Sequence, residues 1–383
     1  MTLVRITKLL SACALWIVLT LPAPAAAADP CPLLRAQVDA RDVSTRIAAA
    51  ACEEHQLWYR PYIDRDGHYA GSKVREAENG LLANGQPAWL RVVDYWRGSA
   101  LLGSAAGRSG ASDCAYAGSS GYASPSCRMF VVDTPWSAAF VSWVMRRARV
   151  PGFHGSASHV SYVRDAYRDA SDNAYQVANP ESARPQPGDL LCFVRSERVY
   201  GFGGLAGLLS ANDGGLAMHC DIVVAANPGN DRTAYMIGGN VLDGVTMRLL
   251  PLTAGGQFAG LPMRAPGAPD CSPDAPSACD ANRQDWAVLL QLRPEAQLAR
   301  LPAPPMLVPS GSAQPPQASP QCCVNCVVGS GIPRCPAGTP APLRPAPVPP
   351  ARPSTAPASP ECCVNCVVGS SVPRCPAGTP PTR

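Results

Sequence analysis

The sequence predicts an α+β fold in which helices come first along the chain and an antiparallel sheet follows. Apolar residues recur at helical spacing up to about residue 169, and short apolar runs bounded by turn residues follow that point. Helices followed by strands, without regular alternation, are typical of this class. About 270 residues of this kind are enough to bury the core of one domain.

Helices are expected over four ranges: 31–59, 87–96, 135–149 and 158–169. In the third range, Thr134 is expected to cap the helix and Pro135 to occupy its first position, because proline needs no helical hydrogen-bond partner there. Ser137 then lies in the first turn. Residues 98–128 are rich in Gly, Ser and Ala, which predicts a surface loop before this helix.

Strands are expected near five ranges: 189–195, 218–226, 233–241, 245–251 and 285–292. The first opens after Pro187-Gly188-Asp189, where Asp189 is expected to turn the chain into the strand. His219 lies at the start of the second strand, and Asn240 near the end of the third.

The ends of the chain differ from this core. Arg5 and Lys8, an apolar run and small residues up to Ala28 predict a secretory signal peptide, too short to span a membrane. Pro, Ala and Ser dominate beyond Arg300, where a four-cysteine unit occurs twice. The expected organisation is signal peptide 1–28, N-terminal helical extension 29–84, α+β domain 85–298, linker 299–318, repeat 319–340, linker 341–358 and repeat 359–380.

The chain has 17 cysteines, of which one lies in the signal peptide and leaves an even number in an exported protein. Short loops favour pairing Cys31 with Cys52, Cys114 with Cys127, and Cys271 with Cys279. Two cysteines on predicted strands, Cys192 and Cys220, either bridge neighbouring strands or remain buried thiols. In the tail repeats, export favours disulfides over zinc, and the repeats act either in attachment to glycans or as a spacer.

Several functional classes are disfavoured by the sequence. The net charge of +4 includes two cations of the signal peptide and gives no reason to expect nucleic acid as a partner. The lipase Gly-x-Ser-x-Gly, the zinc-protease His-Glu-x-x-His and the phosphate-binding loop are absent from the sequence. His154 and His159 lack a third metal ligand at suitable spacing, so we expect no metal, no cofactor and no transmembrane segment in the mature chain.

Four motifs occur in a fixed order: Trp-Ser-Ala-Ala-Phe-Val from Trp136, Gly-Asp-Leu-Leu-Cys from Gly188, His-Cys-Asp-Ile-Val-Val from His219, and Gly-Gly-Asn-Val from Gly238. This set resembles the bacterial family called domain of unknown function 2272 over roughly residues 85 to 255. It is more distantly similar to murein peptidases and amidases of the NlpC and CHAP kinds. The resemblance implies a papain-like fold and an exported, periplasmic or extracellular hydrolase acting on an amide bond of peptidoglycan.

The chain departs from those peptidases at one decisive position, where Ser137 replaces the nucleophilic cysteine. A serine hydroxyl needs a base hydrogen-bonded to it, and the resemblance gives that role to His219, with Asn240 orienting the imidazole. Asp221 and His159 are secondary candidates for these roles. Trp136 and Trp143 are candidates for contacting substrate, and Cys192 and Cys220 are rival nucleophiles.

Two alternatives to an enzyme stay open at this stage. Serine is an ordinary residue in a first helical turn, and a fold does not guarantee its function. The same cleft would also suit a catalytically inactive module that binds cell-wall peptide or glycan. An envelope scaffold with a vestigial cleft is the remaining alternative.

Overall fold

A computed structural model of the protein describes residues 29–76, 80–118, 125–211, 214–269 and 276–303. The predicted signal peptide, both Cys-rich repeats and the tail from residue 304 onward lie outside the described residues. Within them, nine α-helices accompany one eight-stranded mixed sheet, which confirms the α+β class.

The helices are α1 Cys31–Leu34, α2 Val43–Leu57, α3 Ala88–Gly98, α4 Ala111–Cys114, α5 Pro125–Asp133, α6 Ser137–Arg147, α7 His159–Arg168, α8 Gly201–Ala211 and α9 Glu295–Leu298. The strands are β1 Tyr62–Ile63, β2 Tyr69–Ala70, β3 Tyr175–Ala178, β4 Leu190–Val194, β5 Met218–Ala226, β6 Thr233–Val241, β7 Gly244–Pro251 and β8 Asp285–Leu292. All five predicted strands are confirmed. The elements that the sequence did not predict are β1, β2, β3, α4, α5, α8 and α9.

The prediction of a loop over 98–128 is wrong at its C-terminal end, where α5 begins at Pro125. Its residues Phe130 and Val131 are completely buried, so tertiary packing outweighs the Gly- and Ser-rich composition. The predicted cap of α6 is also wrong. The backbone N–H of Thr134 donates to the carbonyl of Phe130 and so extends the hydrogen-bonding of α5, while Trp136 occupies the cap position of α6.

The sheet has the strand order β2-β1-β7-β6-β5-β4-β8-β3. Its neighbouring strands are antiparallel except for β1 and β7, which run parallel, so the expectation of a purely antiparallel sheet is wrong at this pair. Strand β1 comes from the predicted N-terminal extension. That segment therefore adds two strands to the sheet and helix α2 to the main core.

Side-chain alternation divides β5 between the two faces of the sheet. Cys220 and Ile222 point into the main core with the helices, whereas Val223 belongs to a second apolar cluster on the other face. His219 and Asp221 alternate with the same period and so point to the same face as Val223. Cys220 lies opposite Cys192 on β4, and these two cysteines form a disulfide with a Cα–Cα distance of 4.0 Å.

The start of α6 rests on an aromatic cluster formed by Trp58, Tyr95, Trp136 and Phe140. The indole of Trp136 stacks on the rings of Trp58 and Tyr95, with centroid distances of 5.8 and 5.4 Å. The hydroxyl of Tyr95 accepts a hydrogen bond from the Trp58 indole and donates to buried Glu54, which also forms an ion pair with Arg91. These contacts fix the position from which Ser137 projects.

Two further disulfides, Cys31–Cys52 and Cys114–Cys127, confirm the predicted local pairings. Cys279 is also disulfide-bonded, while its predicted partner Cys271 lies outside the described residues. Three disulfides among the described residues are compatible with export. In the same part of the chain, no helix has both the length and the apolar character needed to cross a bilayer.

Candidate active site

Ser137 is the first residue of α6 and is 5 % exposed. The first hydrogen bond of the helix runs from the N–H of Phe140 to the carbonyl of Trp136, over 2.9 Å. The N–H groups of Ser137, Ala138 and Ala139 therefore have no acceptor within the helix. The Ser137 hydroxyl thus lies beside N–H donors that the helix leaves without an acceptor, at the positive end of the helix dipole.

The hydroxyl of Ser137 is hydrogen-bonded to Nε2 of His159, with a distance of 2.7 Å. His159 begins helix α7 and is also buried. Burial lowers the pKa of His159 well below its usual value, and the neighbouring His219 lowers it further. The imidazole is therefore neutral at neutral pH, and neutral imidazole is the form that can accept a proton.

The other ring nitrogen of His159, Nδ1, is hydrogen-bonded to the hydroxyl of Tyr162, one helical turn further along α7. A tyrosine hydroxyl can donate or accept, so the destination of its proton decides the His159 tautomer. Among the described residues, His159 is the one hydrogen-bond partner of this hydroxyl. Donation from Tyr162 to Nδ1 would place the imidazole proton on Nε2, facing Ser137.

A second histidine lies beside the first, with the rings of His159 and His219 5.2 Å apart. Nε2 of His219 is 2.8 Å from a carboxylate oxygen of Asp221, whose other oxygen accepts from Nε of Arg248 over 2.8 Å. All three of these side chains are buried. Burial would raise the pKa of Asp221, but Arg248 and His219 outweigh this effect and hold it well below its usual range.

Because Asp221 is an ionised acceptor, Nε2 of His219 carries a proton and Nδ1 is the nitrogen left for a ligand or water. Gly238 on β6 makes room for this pair. A β-carbon there would lie 2.0 Å from the Asp221 carboxylate and 2.8 Å from His219 Nε2. Glycine is therefore required by space at this position.

Asn240 is hydrogen-bonded to Glu76, with 3.4 Å between its Nδ2 and the carboxyl oxygen that also accepts from the Trp136 indole. Asn240 has a positive φ of 56° and interrupts the β6–β7 register between Gly239 and Val241. This irregularity removes its side chain from the alternation of the strand. Glu76 itself is 5 % exposed, and burial raises its pKa to about 8, although the Trp136 hydrogen bond opposes the shift.

A pocket of about 270 Å³ opens beside these groups. His219, Asn240 and Arg248 contribute to its lining, together with Arg195 and apolar residues that include Phe193. The ring of His219 also packs at a tilt against that of Phe193, with a centroid distance of 5.1 Å. His219 therefore lines the pocket, and its ring lies 5.2 Å from that of His159, the partner of Ser137.

One group of three side chains in the described part of the chain has ligand atoms close enough to share a metal. It comprises Asp64, Asp66 and His68, whose ligand atoms lie within 4.8 Å of one another. They lie in the turn between β1 and β2, where the Asp64 carboxylate already accepts the N–H groups of Asp66 and His68. This is ordinary turn chemistry and does not assign a metal to the site.

Residues 83–292 match the family described as "Uncharacterized protein conserved in bacteria (DUF2272)". The match covers more than half of the chain. The chain belongs to the DUF2272 family. Among curated proteins and among solved structures, none matches it. The DUF2272 region contains Ser137, His159, His219 and Asp221, whereas Glu76 precedes it.

The structure places the predicted residues of this DUF2272 site close together but pairs them differently. Ser137 is bonded to His159, the secondary candidate, instead of His219. His219 is bonded to Asp221, the other secondary candidate, and Asn240 instead contacts Glu76. These contacts correct the expected series of hydrogen bonds from Ser137 through His219 to Asn240.

The two tryptophans proposed to contact substrate differ in burial. Trp136 is completely buried in the aromatic cluster and offers no surface to a substrate. Trp143 is partly buried between helices α3 and α6, where Gly98 leaves room for its ring. The rival nucleophiles Cys192 and Cys220 are bonded to each other in a disulfide and therefore have no free thiol.

Sequence reasoning missed Tyr162, Glu76 and Arg248. Tyr162 follows His159 by three residues, so helical spacing could have revealed it. Asp221 follows His219 by two residues on a strand, which puts both on one face. Arg248 and Glu76 reach the site from distant segments and left no comparable local signal.

Proposed function

We propose that this DUF2272 protein is an exported hydrolase that cleaves an amide bond of peptidoglycan, with Ser137 as nucleophile and His159 as general base. The observation that carries the proposal is the 2.7 Å hydrogen bond between Ser137 Oγ and His159 Nε2 at the open end of α6. The class of substrate rests on the resemblance to murein peptidases and amidases.

In the first step, Ser137 Oγ attacks the carbonyl carbon of the amide while His159 accepts the hydroxyl proton. The unpaired N–H groups at the start of α6 stabilise the oxyanion that develops. The proton then passes from His159 to the leaving amine, and the acyl group remains on Ser137 as an ester.

In the second step, water attacks the ester carbonyl and gives up a proton. The bond between the acyl carbon and Ser137 Oγ then breaks, Oγ regains that proton, and the acyl group leaves as a carboxylic acid. His219 Nδ1 is the acceptor nitrogen when the ring is neutral, and Asp221 fixes that tautomer through Nε2. Its position at the pocket suits it to take a proton from the water, and the carboxylate of Asp221 stabilises the imidazolium that results. The role of His219 is thus retained as a proton carrier beside His159.

The test is mass spectrometry of the soluble fragments released from purified peptidoglycan by the mature, oxidised protein. Ser137→Ala and His159→Ala are expected to lower fragment release by at least about 10³-fold, since each removes the attack step. Ser142→Ala on the same helix and His154→Ala on the surface are matched controls that should retain activity. Equal fragment release by Ser137→Ala and Ser142→Ala would exclude Ser137 as the nucleophile.

A second candidate is a binding module that holds cell-wall peptide without cleaving it. The Tyr162 hydroxyl favours this candidate, because donation to His159 Nδ1 would leave a proton, and no acceptor, facing Ser137. Co-sedimentation with purified sacculi, measured on the same samples, separates the two. Binding without any fragment, under conditions in which a murein amidase releases fragments, would support the binding module.

A further inference from the structure

The pocket next to His219 contains a cation that the proposed chemistry does not use. Arg195 follows β4 directly and contributes to the lining. Its side chain is exposed and has no hydrogen bond or ion pair among the described residues. Besides burial and His219, Arg195 contributes to lowering the pKa of His159, which places its charge near the two histidines.

The other cation of the pocket is already neutralised. Arg248 donates to the carboxylate of Asp221 and also to the carbonyl of Ala281 and the side chain of Asn282. No acidic side chain is among the described residues that line the pocket. Arg195 therefore leaves the pocket with an uncompensated positive charge, which attracts an anionic group.

The other residues that line the pocket indicate which further groups the ligand contains. Phe193, Val241 and Leu242 supply apolar walls. Because Nδ2 of Asn240 donates to Glu76, its Oδ1 remains available to accept an N–H. A volume of about 270 Å³ suits a small ligand, such as a terminal amino acid residue.

We infer that this pocket binds the terminal residue of a peptide through its free carboxylate, with Arg195 as the specificity-determining residue. A carboxylate on Arg195 would direct the proposed hydrolysis to the amide bond that precedes a free carboxyl terminus. This inference rests on the proposed function for its catalytic meaning. The binding it describes is measurable without any turnover.

The probes are N-acetyl-alanyl-alanine and its C-terminal carboxamide, each in L,L and D,D forms, titrated by NMR into the mature oxidised protein. Ser137→Ala is used as the background so that no probe is consumed. We expect one or both carboxylate forms to bind about tenfold or more tightly than the matching carboxamides, since a charge-assisted pair is lost in the latter. Imidazole resonances of His219 should shift during the titration.

Arg195→Gln should abolish this difference, whereas Arg195→Lys should keep part of it because the charge is retained. Arg198→Gln is the matched control, since Arg198 lies over the Tyr200 ring and does not line the pocket. Equal affinity for carboxylate and carboxamide, equal behaviour of Arg195→Gln and Arg198→Gln, or failure of both probes to bind would each overturn the inference.

The two proposals fail separately. Selective carboxylate binding without release of wall fragments by the wild type would remove the hydrolase and keep the pocket assignment. Fragment release with no preference for a free carboxylate would keep the hydrolase and remove the role of Arg195.

Discussion

Replacing Gly238 by alanine tests whether the His219–Asp221 pair depends on the missing side chain. A β-carbon at this position would lie 2.0 Å from the Asp221 carboxylate oxygen, 2.8 Å from His219 Nε2 and 2.8 Å from Val241. The carboxylate cannot retreat easily, because its other oxygen is bonded to Arg248 and both side chains are buried. The substitution must therefore displace the ion pair or the strand.

Overpacking a buried site costs about 1–3 kcal/mol, and breaking a buried charge pair about 3–5 kcal/mol. Partial relaxation of β6 shares the strain, so we expect Gly238→Ala to lower the free energy of unfolding by about 3 kcal/mol. Alanine also lowers the conformational entropy of the unfolded chain, which offsets this loss of stability by less than about 1 kcal/mol.

The assay is urea unfolding of the oxidised protein, followed by tryptophan fluorescence. Gly244→Ala is the matched control on the neighbouring strand β7, since its β-carbon would meet only the Trp58 ring, at 3.5 Å. That variant should stay within about 0.5 kcal/mol of the wild type. If Gly238→Ala is as stable as Gly244→Ala, the packing argument for this pair is wrong.

Two further predictions concern stability. Burial raises the pKa of Glu76 from 4.5 in the unfolded chain to about 8 in the folded protein. The contribution of Glu76 to stability is therefore complete at low pH and is lost as the pH rises through that range. The free energy of unfolding falls by at most about 1.4 kcal/mol per pH unit. Glu76→Gln cannot titrate but keeps an acceptor for Trp136. Its free energy of unfolding, measured in urea across this range, should therefore depend less on pH than that of the wild type. An unchanged pH dependence would contradict the raised pKa of Glu76. The disulfide between Cys192 and Cys220, 28 residues apart, should contribute about 3.5 kcal/mol, measured by unfolding the double alanine variant; unchanged stability would show that the sheet register suffices.

The sequence predicted the parts of the site that depend on local pattern. Helical periodicity located α6 and placed Ser137 in its first turn. Strand patterning located β5 and β6 within one residue, and loop length gave the pairing of Cys114 with Cys127. Each of these signals lies within a few residues of the feature that it predicts.

Prediction from the sequence was wrong where local composition and tertiary packing favour different structures. Helix α5 forms in a Gly- and Ser-rich region because Phe130 and Val131 pack into the main core. Strand β1 is two residues long and is held by its pairing with β7, whose sequence lies far along the chain. Such short elements have no periodicity to detect.

By itself, the sequence determined that a serine starts a helix beside a histidine-bearing sheet, because helix and strand periods are properties of neighbouring residues. Only the tertiary structure decided which histidine Ser137 contacts, that Asp221 is held between His219 and Arg248, and that Glu76 fixes Asn240. Apart from the local contact of His219 with Asp221, these contacts join residues that are 22, 27 and 164 positions apart in the chain. Their energy comes from burying polar groups against one another, and such burial exists only once the chain has folded.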